Sequence, residues 1–266
     1  MRSSRSIWAS KTDTPMKKNC GSPQFFFTVY NKEYTMAFFE NIFAIFAQSK
    51  YFTWLMQGLG YTLVISVGAA LLGLVLGTLV AIVNISRSKS KWMLLPRAIC
   101  SIYITIIRGT PMALQLFIMT FVVFAIRGFP IVLTAIIAFG INSGAYVAEN
   151  IRAGILSVDI GQTEAGRALG LSGATTMMKI VVPQAIKNVI PAIGNELIAL
   201  IKETSIVSMI GMFDLTAAAK NIGAGHELAS FLEPMMCAAI FYLIIVYLLT
   251  FAIKIIERKL RESDKR

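Results

Sequence analysis

The chain has 266 residues and a formal net charge of +11, and 56% of its residues are hydrophobic whereas only 15% are charged. A soluble domain carries about a quarter charged residues, and the apolar residues here form long blocks, so we exclude a soluble enzyme. The excess of Lys and Arg could indicate a nucleic-acid partner, but these residues lie in the connections between apolar blocks, which is typical of the cytoplasmic loops of a membrane protein.

The first 58 residues precede the apolar blocks and divide into two parts. Residues 1–35 are polar, rich in Ser and Lys, and lack the apolar core of a signal peptide. Residues 36–58 open at Met36 and contain a run of Phe residues, which favours an amphipathic helix lying in the membrane interface. Translation that begins at Met36, or less favourably at Met16, explains the polar extension; a disordered external tail is the alternative.

Five apolar segments follow, each near the roughly 20 residues that cross a bilayer as a helix. In chain order they are 59–83, 99–126, 131–148, 189–212 and 234–256. The second is interrupted by Arg108-Gly-Thr-Pro111, and the fourth is the least apolar because it contains Glu196, Lys202 and Glu203. We therefore predict an all-α membrane domain over 59–256.

Basic residues are concentrated in alternate connections. Most lie after the first segment, between the third and fourth, and in the tail 257–266, whereas the other two connections carry only Arg127 and Lys220. Because Lys and Arg are retained in the cytoplasm, this asymmetry predicts an external N-terminus and a cytoplasmic C-terminus. The basic residues before the first segment disagree with that orientation.

The predicted cytoplasmic connection 153–187 contains the pattern of a short helix with a defined start and end. Asp159 or Thr163 can cap its start by accepting backbone N–H bonds, and Gly170 can adopt the left-handed conformation that ends it. Ser172 can then cap a second helix. A short capped helix outside the membrane is suited to dock in a groove of a partner protein.

Six residues of this connection match the EAA signature, Glu-Ala-Ala-x3-Gly-x9-Ile-x-Leu-Pro, at every spacing. They are Glu164, Ala165, Gly166, Gly170, Ile180 and Pro183. Gly166 replaces the second Ala of the signature, and Val182 replaces its Leu. The chain therefore resembles the permease subunits of type I ATP-binding-cassette importers, which have the MetI-like fold.

The resemblance extends over roughly residues 55–257 to the polar amino acid branch of that family, which carries histidine, arginine, glutamine, glutamate, cystine and opines. Four short motifs support this resemblance, and they occur along the chain in the order found in that branch. They are Gly60-Tyr-Thr-Leu63, Arg108-Gly-Thr-Pro111, Asn142-Ser-Gly-Ala-Tyr146 and Lys202-Glu-Thr-Ser205.

This resemblance implies five transmembrane helices plus an N-terminal interfacial helix in the bacterial cytoplasmic (inner) membrane, with residues 164–170 as a coupling helix seated in an ATPase cleft. The implied partners are two ATPase subunits, a second permease (the same chain or a paralogue), an extracytoplasmic solute-binding protein and a polar amino acid. The sequence has no Gly-x4-Gly-Lys-Ser/Thr phosphate loop, so we expect a non-enzymatic subunit without bound cofactor or metal, whose ATPase partner uses ATP and Mg. The alternatives are a type I permease for another solute and an ATPase-independent channel or carrier.

Five polar residues within the apolar segments are candidates for the substrate pathway, because ionisable groups in a membrane tend to face a cavity or a partner. They are Arg108, Asn142, Tyr146, Glu196 and Lys202. Arg108 could bind a substrate carboxylate bidentately, pair with an acidic group or reach an interface. Asn142 and Tyr146 share a helix face, which indicates either the pathway wall or helix packing. Glu196 and Lys202 could line the pathway or form a buried ion pair.

Two further patterns indicate packing rather than transport. Glu149 and Arg152 have the spacing of a local ion pair, which we expect to anchor the end of the third segment. Gly68, Gly73 and Gly77 in the first segment include a small-xxx-small pattern, which permits another helix to approach closely.

Overall fold

The computed structural model describes residues 36, 38–86, 90–225 and 231–262, and the regular secondary structure within them is helical. The chain divides into two units, residues 1–48 and 49–266. The described part of the first unit contains helix α1 (Phe38–Ala47), on which Phe39, Phe43 and Phe46 are exposed. The predicted polar extension 1–35 and residues 263–266 of the predicted tail lie outside the described residues.

The second unit contains the membrane helices. Its α-helices are α2 (Ser49–Ile85), α3 (Leu94–Gly109), α4 (Met112–Ile118), α5 (Ile131–Leu156), α6 (Ile160–Ala168), α7 (Gly173–Thr176), α8 (Val182–Glu203), α9 (Leu215–Gly223) and α10 (Leu232–Glu262). Tighter turns occupy Lys91–Met93 and Thr204–Ile210, and wider π-helical turns occupy Met119–Val123 and Met177–Val181.

Within the described residues, four helices are long and apolar enough to cross a membrane: α2, α3 with the turn before it, α5, and α10. The predicted fourth segment is not among them. It lies in α8 and the turn after it, and its charged residues lower its mean hydropathy. The predicted second segment is divided where its interruption was expected, because Thr110 is extended and Pro111 precedes α4. The helix that contains the first predicted segment begins earlier than that segment, because α2 starts at Ser49.

The contacts between α2 and α5 fix their relative direction. Gly73 lies against Ser143, and one turn further on Gly77 lies against Val147, so both helices run in the same direction. The chain between them must therefore return across the bundle, and α3 and α4 together make that return.

The helix α8 runs opposite to α5. Gly154, near the end of α5, lies against Val189 in the first half of α8. Phe139, near the start of α5, shares a core cluster with Leu200 in the second half of α8.

The helix α10 in turn runs opposite to α8. Gly194 of α8 lies against Ile253 far along α10, whereas Asp214, which follows α8, accepts a hydrogen bond of 3.4 Å from Tyr242 nearer the start of α10. One end of the bundle, here called the α6 end, therefore holds the last turns of α2, α5 and α10 and the connection with α6 and α7. The opposite end, called the α9 end, holds the turn Thr204–Ile210 and α9.

The predicted close packing at the glycines of α2 is confirmed. A Cβ atom at Gly77 would lie 2.6 Å from Val147 Cβ and 2.7 Å from the carbonyl oxygen of Gly144, and one at Gly73 would lie 2.8 Å from Ser143 Cβ. Lipid provides no hydrophobic force between helices, so close van der Waals contact of this kind is what holds them together.

We expect Gly77→Ala to destabilise the fold by about 1–3 kcal/mol, because the added methyl group must displace the backbone of α5. The midpoint of thermal denaturation of the detergent-solubilised protein measures this effect. Gly60→Ala is the matched control in the same helix, since a Cβ atom there meets nothing within 4 Å. Equal midpoints for the two variants would contradict the packing explanation.

Candidate functional site

The helix α6 begins and ends as its sequence predicts. Asp159, rather than Thr163, caps its start by accepting a hydrogen bond of 2.6 Å from the backbone N–H of Gly161. Gly170 ends it with a φ of 82°, and the next N–H, that of Leu171, donates to the Gly166 carbonyl at 3.1 Å. This is the left-handed helix terminus that glycine favours.

The second cap, which begins α7, is also confirmed. The Ser172 hydroxyl accepts a hydrogen bond of 3.2 Å from the backbone N–H of Thr175. The chain then continues through the π-helical turn into α8, where Pro183 lies in the first turn.

The signature residues Gly166 and Ile180 meet in space, which explains their spacing. Gly166 is buried, and a Cβ atom there would lie 2.8 Å from Thr176 Cγ2 and 3.0 Å from Ile180 Cδ1. The amide of Gln184 also donates to Gln162 Oε1 at 3.3 Å. The helix α6 is thus braced against the segment that leads into α8.

The rest of α6 is open to a partner. Glu164 and Ala165 are exposed, and the apolar side chains of Ile160 and Leu169 are 71% and 80% exposed. A short helix that presents apolar side chains and one carboxylate outside the bundle has the composition of a docking element.

A second polar region lies at the break between α3 and α4. The side-chain amide of Gln115 donates to the Ile107 carbonyl at 2.8 Å and to the Thr110 hydroxyl and carbonyl at 2.7 and 3.2 Å. The Asn142 amide of α5 in turn donates to Gln115 Oε1 at 2.9 Å. The amide of Gln115 therefore satisfies carbonyls that the Pro111 break leaves without an intrahelical donor, and it ties the break to α5.

Sequence reasoning did not select Gln115. The sequence does contain an indication of its role, because Gln115 is a single amide in an apolar run, four residues after Pro111. A side chain at that position can reach carbonyls of the preceding helix that the Pro leaves unpaired.

A third group, the arginine cluster, consists of Arg108, Tyr146, Glu149 and Arg152. Arg152 forms the predicted local pair, with its Nε 2.8 Å from Glu149 Oε2 and its Nη2 2.5 Å from Glu149 Oε1. Arg108 Nη1 lies 3.8 Å from Glu149 Oε1, and its guanidinium carbon lies 5.4 Å from the centre of the Tyr146 ring. Of the three roles considered for Arg108, the structure contains the pairing with an acidic group.

Asn142 and Tyr146 share the face of α5 that contacts the α3–α4 segment, one through Gln115 and the other through Arg108. The other two candidates lie on α8. Glu196 is half-buried and close to Ser143, whose buried hydroxyl makes no hydrogen bond of good geometry within the described residues. Lys202 is exposed in the last turn of α8.

Comparison with known proteins identifies a matching family and similar proteins. Residues 73–262 match the family model of the binding-protein-dependent transport system inner membrane component. The chain is 41% identical to the arginine transport system permease protein ArtQ of Bacillus subtilis, over 79% of this chain and 94% of that one. It is 40% identical to the putative glutamine transport system permease protein GlnP of Rickettsia conorii, over 86% and 98%.

Solved structures of transporters are also similar to this chain. A crystal structure of an amino acid ABC transporter with histidines has a TM-score of 0.74 and 36% identity, over 81% of this chain and 98% of that one. An inward-facing MetNI methionine ABC transporter has a TM-score of 0.66 and 23% identity, over 80% and 99%, which supports the fold alone.

We expect Gly170→Ala to destabilise the end of α6 by about 1–2 kcal/mol, because a Cβ atom is disfavoured in the left-handed conformation. Hydrogen–deuterium exchange of the amides of residues 169–171 should accelerate. Gly170→Asn should restore part of the protection, and Gly173→Ala is the control, since its nearest neighbour is 3.4 Å away. Unchanged exchange in the Gly170→Ala variant would argue against the cap.

We also expect Gln115 and Asn142 to be energetically coupled. Hydrogen bonds between membrane helices contribute about 0.5–2 kcal/mol, so a double-mutant cycle of Gln115→Leu and Asn142→Leu should return a coupling in that range from denaturation in detergent. Thr105→Val is the control partner for Asn142→Leu, because the Thr105 hydroxyl bonds within its own helix to Ser101. Additive effects of the Gln115 and Asn142 substitutions would show that the bond does not stabilise the fold.

Proposed function

The chain belongs to the family of binding-protein-dependent transport system inner membrane components, and we propose that it is the permease through which an importer takes up polar amino acids, driven by separate ATPase subunits. The observation that carries the proposal is the braced, exposed helix α6 with the complete EAA spacing. The relatives named for arginine and glutamine support the substrate class.

The α6 end is the cytoplasmic end in this proposal. The connections and tail at that end carry most of the Lys and Arg residues outside the segment before α2, whereas the connections at the α9 end carry Arg127 and Lys220. Retention of positive charge in the cytoplasm then places α6 where an ATPase can reach it. The start of α2 lies at the outer face, and the C-terminus lies in the cytoplasm.

Five crossings follow from the helix directions. Because α2, α5 and α10 run in the same direction, the chain must cross back between them twice. We assign the first of these crossings to α3 with α4 and the second to α8. The fourth crossing is less apolar because its charged residues face protein or the transported solute rather than lipid.

We assign two ATPase subunits as partners, one for each of two permeases, with the residues Glu164, Ala165, Gly166, Gly170, Ile180 and Pro183 forming or supporting the coupling helix. Closure of the ATPases displaces α6. Because Gly166 contacts Thr176 and Ile180, and Gln162 contacts Gln184, that displacement passes into α8. The helix α8 packs against both α5 and α10, so its movement changes the opening of the pathway.

The pathway itself lies between this chain and a second permease, which is an identical copy or a paralogue. The Arg108 side chain is 40% exposed although it lies on a crossing segment, and Tyr146 and Lys202 are exposed as well. A guanidinium facing lipid hydrocarbon is costly, so this face needs cover from a protein or an aqueous pathway. A solute-binding protein delivers the amino acid at the α9 end.

We expect Glu164→Lys to abolish most of the uptake, by roughly tenfold or more, because reversal of a charge at the ATPase contact leaves a partner group unpaired. Uptake of labelled arginine and glutamine, together with co-purification of the ATPase, measures the effect in cells that lack the native gene. Arg127→Glu, a charge reversal at the opposite end, is the control for co-purification of the ATPase.

Full uptake and ATPase association in the Glu164→Lys variant would refute the coupling role. Absence of amino acid uptake by the wild-type importer would instead refute the substrate class and favour a permease for another solute. Uptake without any ATPase would favour a channel or carrier.

A further inference from the structure

We propose that the α2–α3 corner, residues 90–97, binds an anionic phospholipid, whose phosphate lies beside Lys91 and whose acyl chains contact the exposed apolar side chains next to it. The corner lies at the α6 end, because α2 ends and α3 begins there. Placement of the lipid in the inner leaflet rests on the proposed function, which makes the α6 end cytoplasmic. Binding of the lipid itself does not depend on transport.

The corner is held in place by an internal hydrogen bond. The helix α2 ends at Ile85, and a tight turn at Lys91–Met93 leads into α3. The guanidinium of Arg97, in the first turn of α3, donates a hydrogen bond to the Ser86 carbonyl. A cation is favourable beside the last carbonyls of a helix because they carry partial negative charge. The start of α3, and with it the turn, is therefore fixed on the end of α2.

The turn lies at the level of the membrane interface. Residues 59–83 of α2 contain no Lys, Arg, Asp or Glu, and the crossing helix formed by the turn and α3 begins at Lys91. A basic side chain at the end of an apolar crossing lies among the lipid headgroups. Trp92, the next residue, is 89% exposed. Trp favours this level of a membrane, since its ring is apolar and its N–H is polar.

The corner is basic and contains no carboxylate of its own. The sequence has no Asp or Glu between Glu40 and Glu149, and within the described residues Lys91 forms no ion pair. Arg152, another basic residue of the α6 end, is in contrast paired with Glu149. An exposed cation at the membrane surface attracts anionic lipids in preference to lipids without net charge.

The apolar side chains beside Lys91 favour a phospholipid over a soluble phosphate. Leu94 and Leu95 are 72% and 69% exposed, and no residue of α3 is buried. Side chains of this kind are stabilised by contact with hydrocarbon, which a soluble phosphate does not provide. An anionic phospholipid provides both the charge for Lys91 and the hydrocarbon for its neighbours.

The test measures the contact between Trp92 and each lipid by fluorescence quenching. The full chain, with the subunits that co-purify with it, is placed in nanodiscs of one mixture of phosphatidylglycerol and phosphatidylcholine, in which only one of the two lipids is brominated. The sequence has three Trp residues, so the Trp92 signal is the difference between the wild type and Trp92→Phe. Brominated phosphatidylglycerol should quench that signal as if enriched about fivefold beside Trp92, the factor expected for one basic side chain at a membrane surface.

The variants separate a local site from the general charge of the surface. Lys91→Gln should quench equally with the two lipids, whereas Lys91→Arg should keep the preference. Lys259→Gln removes an exposed charge of α10 at the same end of the bundle and should also keep it. Glycerol phosphate, which has the headgroup without acyl chains, should not relieve the quenching.

Equal quenching by the two lipids in the wild type overturns the proposal, and so does a preference that is undiminished in Lys91→Gln. Equal losses in Lys91→Gln and Lys259→Gln would show a diffuse surface potential instead of a site. Relief by glycerol phosphate would show a soluble anion as the ligand, and absence of quenching by either lipid would show that a protein covers the corner; both contradict the proposal. Uptake is measured separately, so its absence would refute the proposed function and leave the lipid result unchanged.

Discussion

The rest of the structure depends on the close backbone contact between α2 and α5. In lipid, apolar side chains gain nothing by leaving one hydrocarbon environment for another, so association depends on contact at short range. The glycines at 73 and 77 allow that contact, because side chains there would overlap with Ser143 and Val147. Once α5 is fixed on α2, its remaining faces are available to α3, α4 and α8, and each of those contacts positions a polar side chain.

The helix α5 connects the polar residues of the bundle to the connection that contains α6. Asn142 holds the α3–α4 break through Gln115, and Glu149 holds Arg152 near Arg108. Where α5 ends, the Ser157 hydroxyl accepts a hydrogen bond of 2.8 Å from Asn188 of α8. The residues that leave α5 toward α6 are therefore tied to α8 at two points, first by Ser157 and then by Gln162, which accepts a hydrogen bond from Gln184. A shift of α6 relative to α8 has to break or move these contacts together.

Most of the features that the sequence predicted correctly are local. The caps of α6 and α7 and the Glu149–Arg152 pair join residues two or three positions apart, so their spacing alone specifies them. The interruption at Pro111 is local for the same reason. In contrast, Gln115 acquires its role from Asn142, 27 residues away. The same holds for Gly58, which lies against the backbone of Asp214, a residue far away in the sequence.

The charged candidates on α8 lie on the helix against which α6 is braced. Glu196 is half-buried beside Ser143 of α5, and Lys202 is exposed in the last turn of α8. Arg108, in contrast, contacts Glu149 and Tyr146 of α5. If closure of the ATPases displaces α6, as we propose, a shift of α8 relative to α5 would move Glu196 and Lys202 relative to Arg108, whereas Arg108 would keep its contacts with α5.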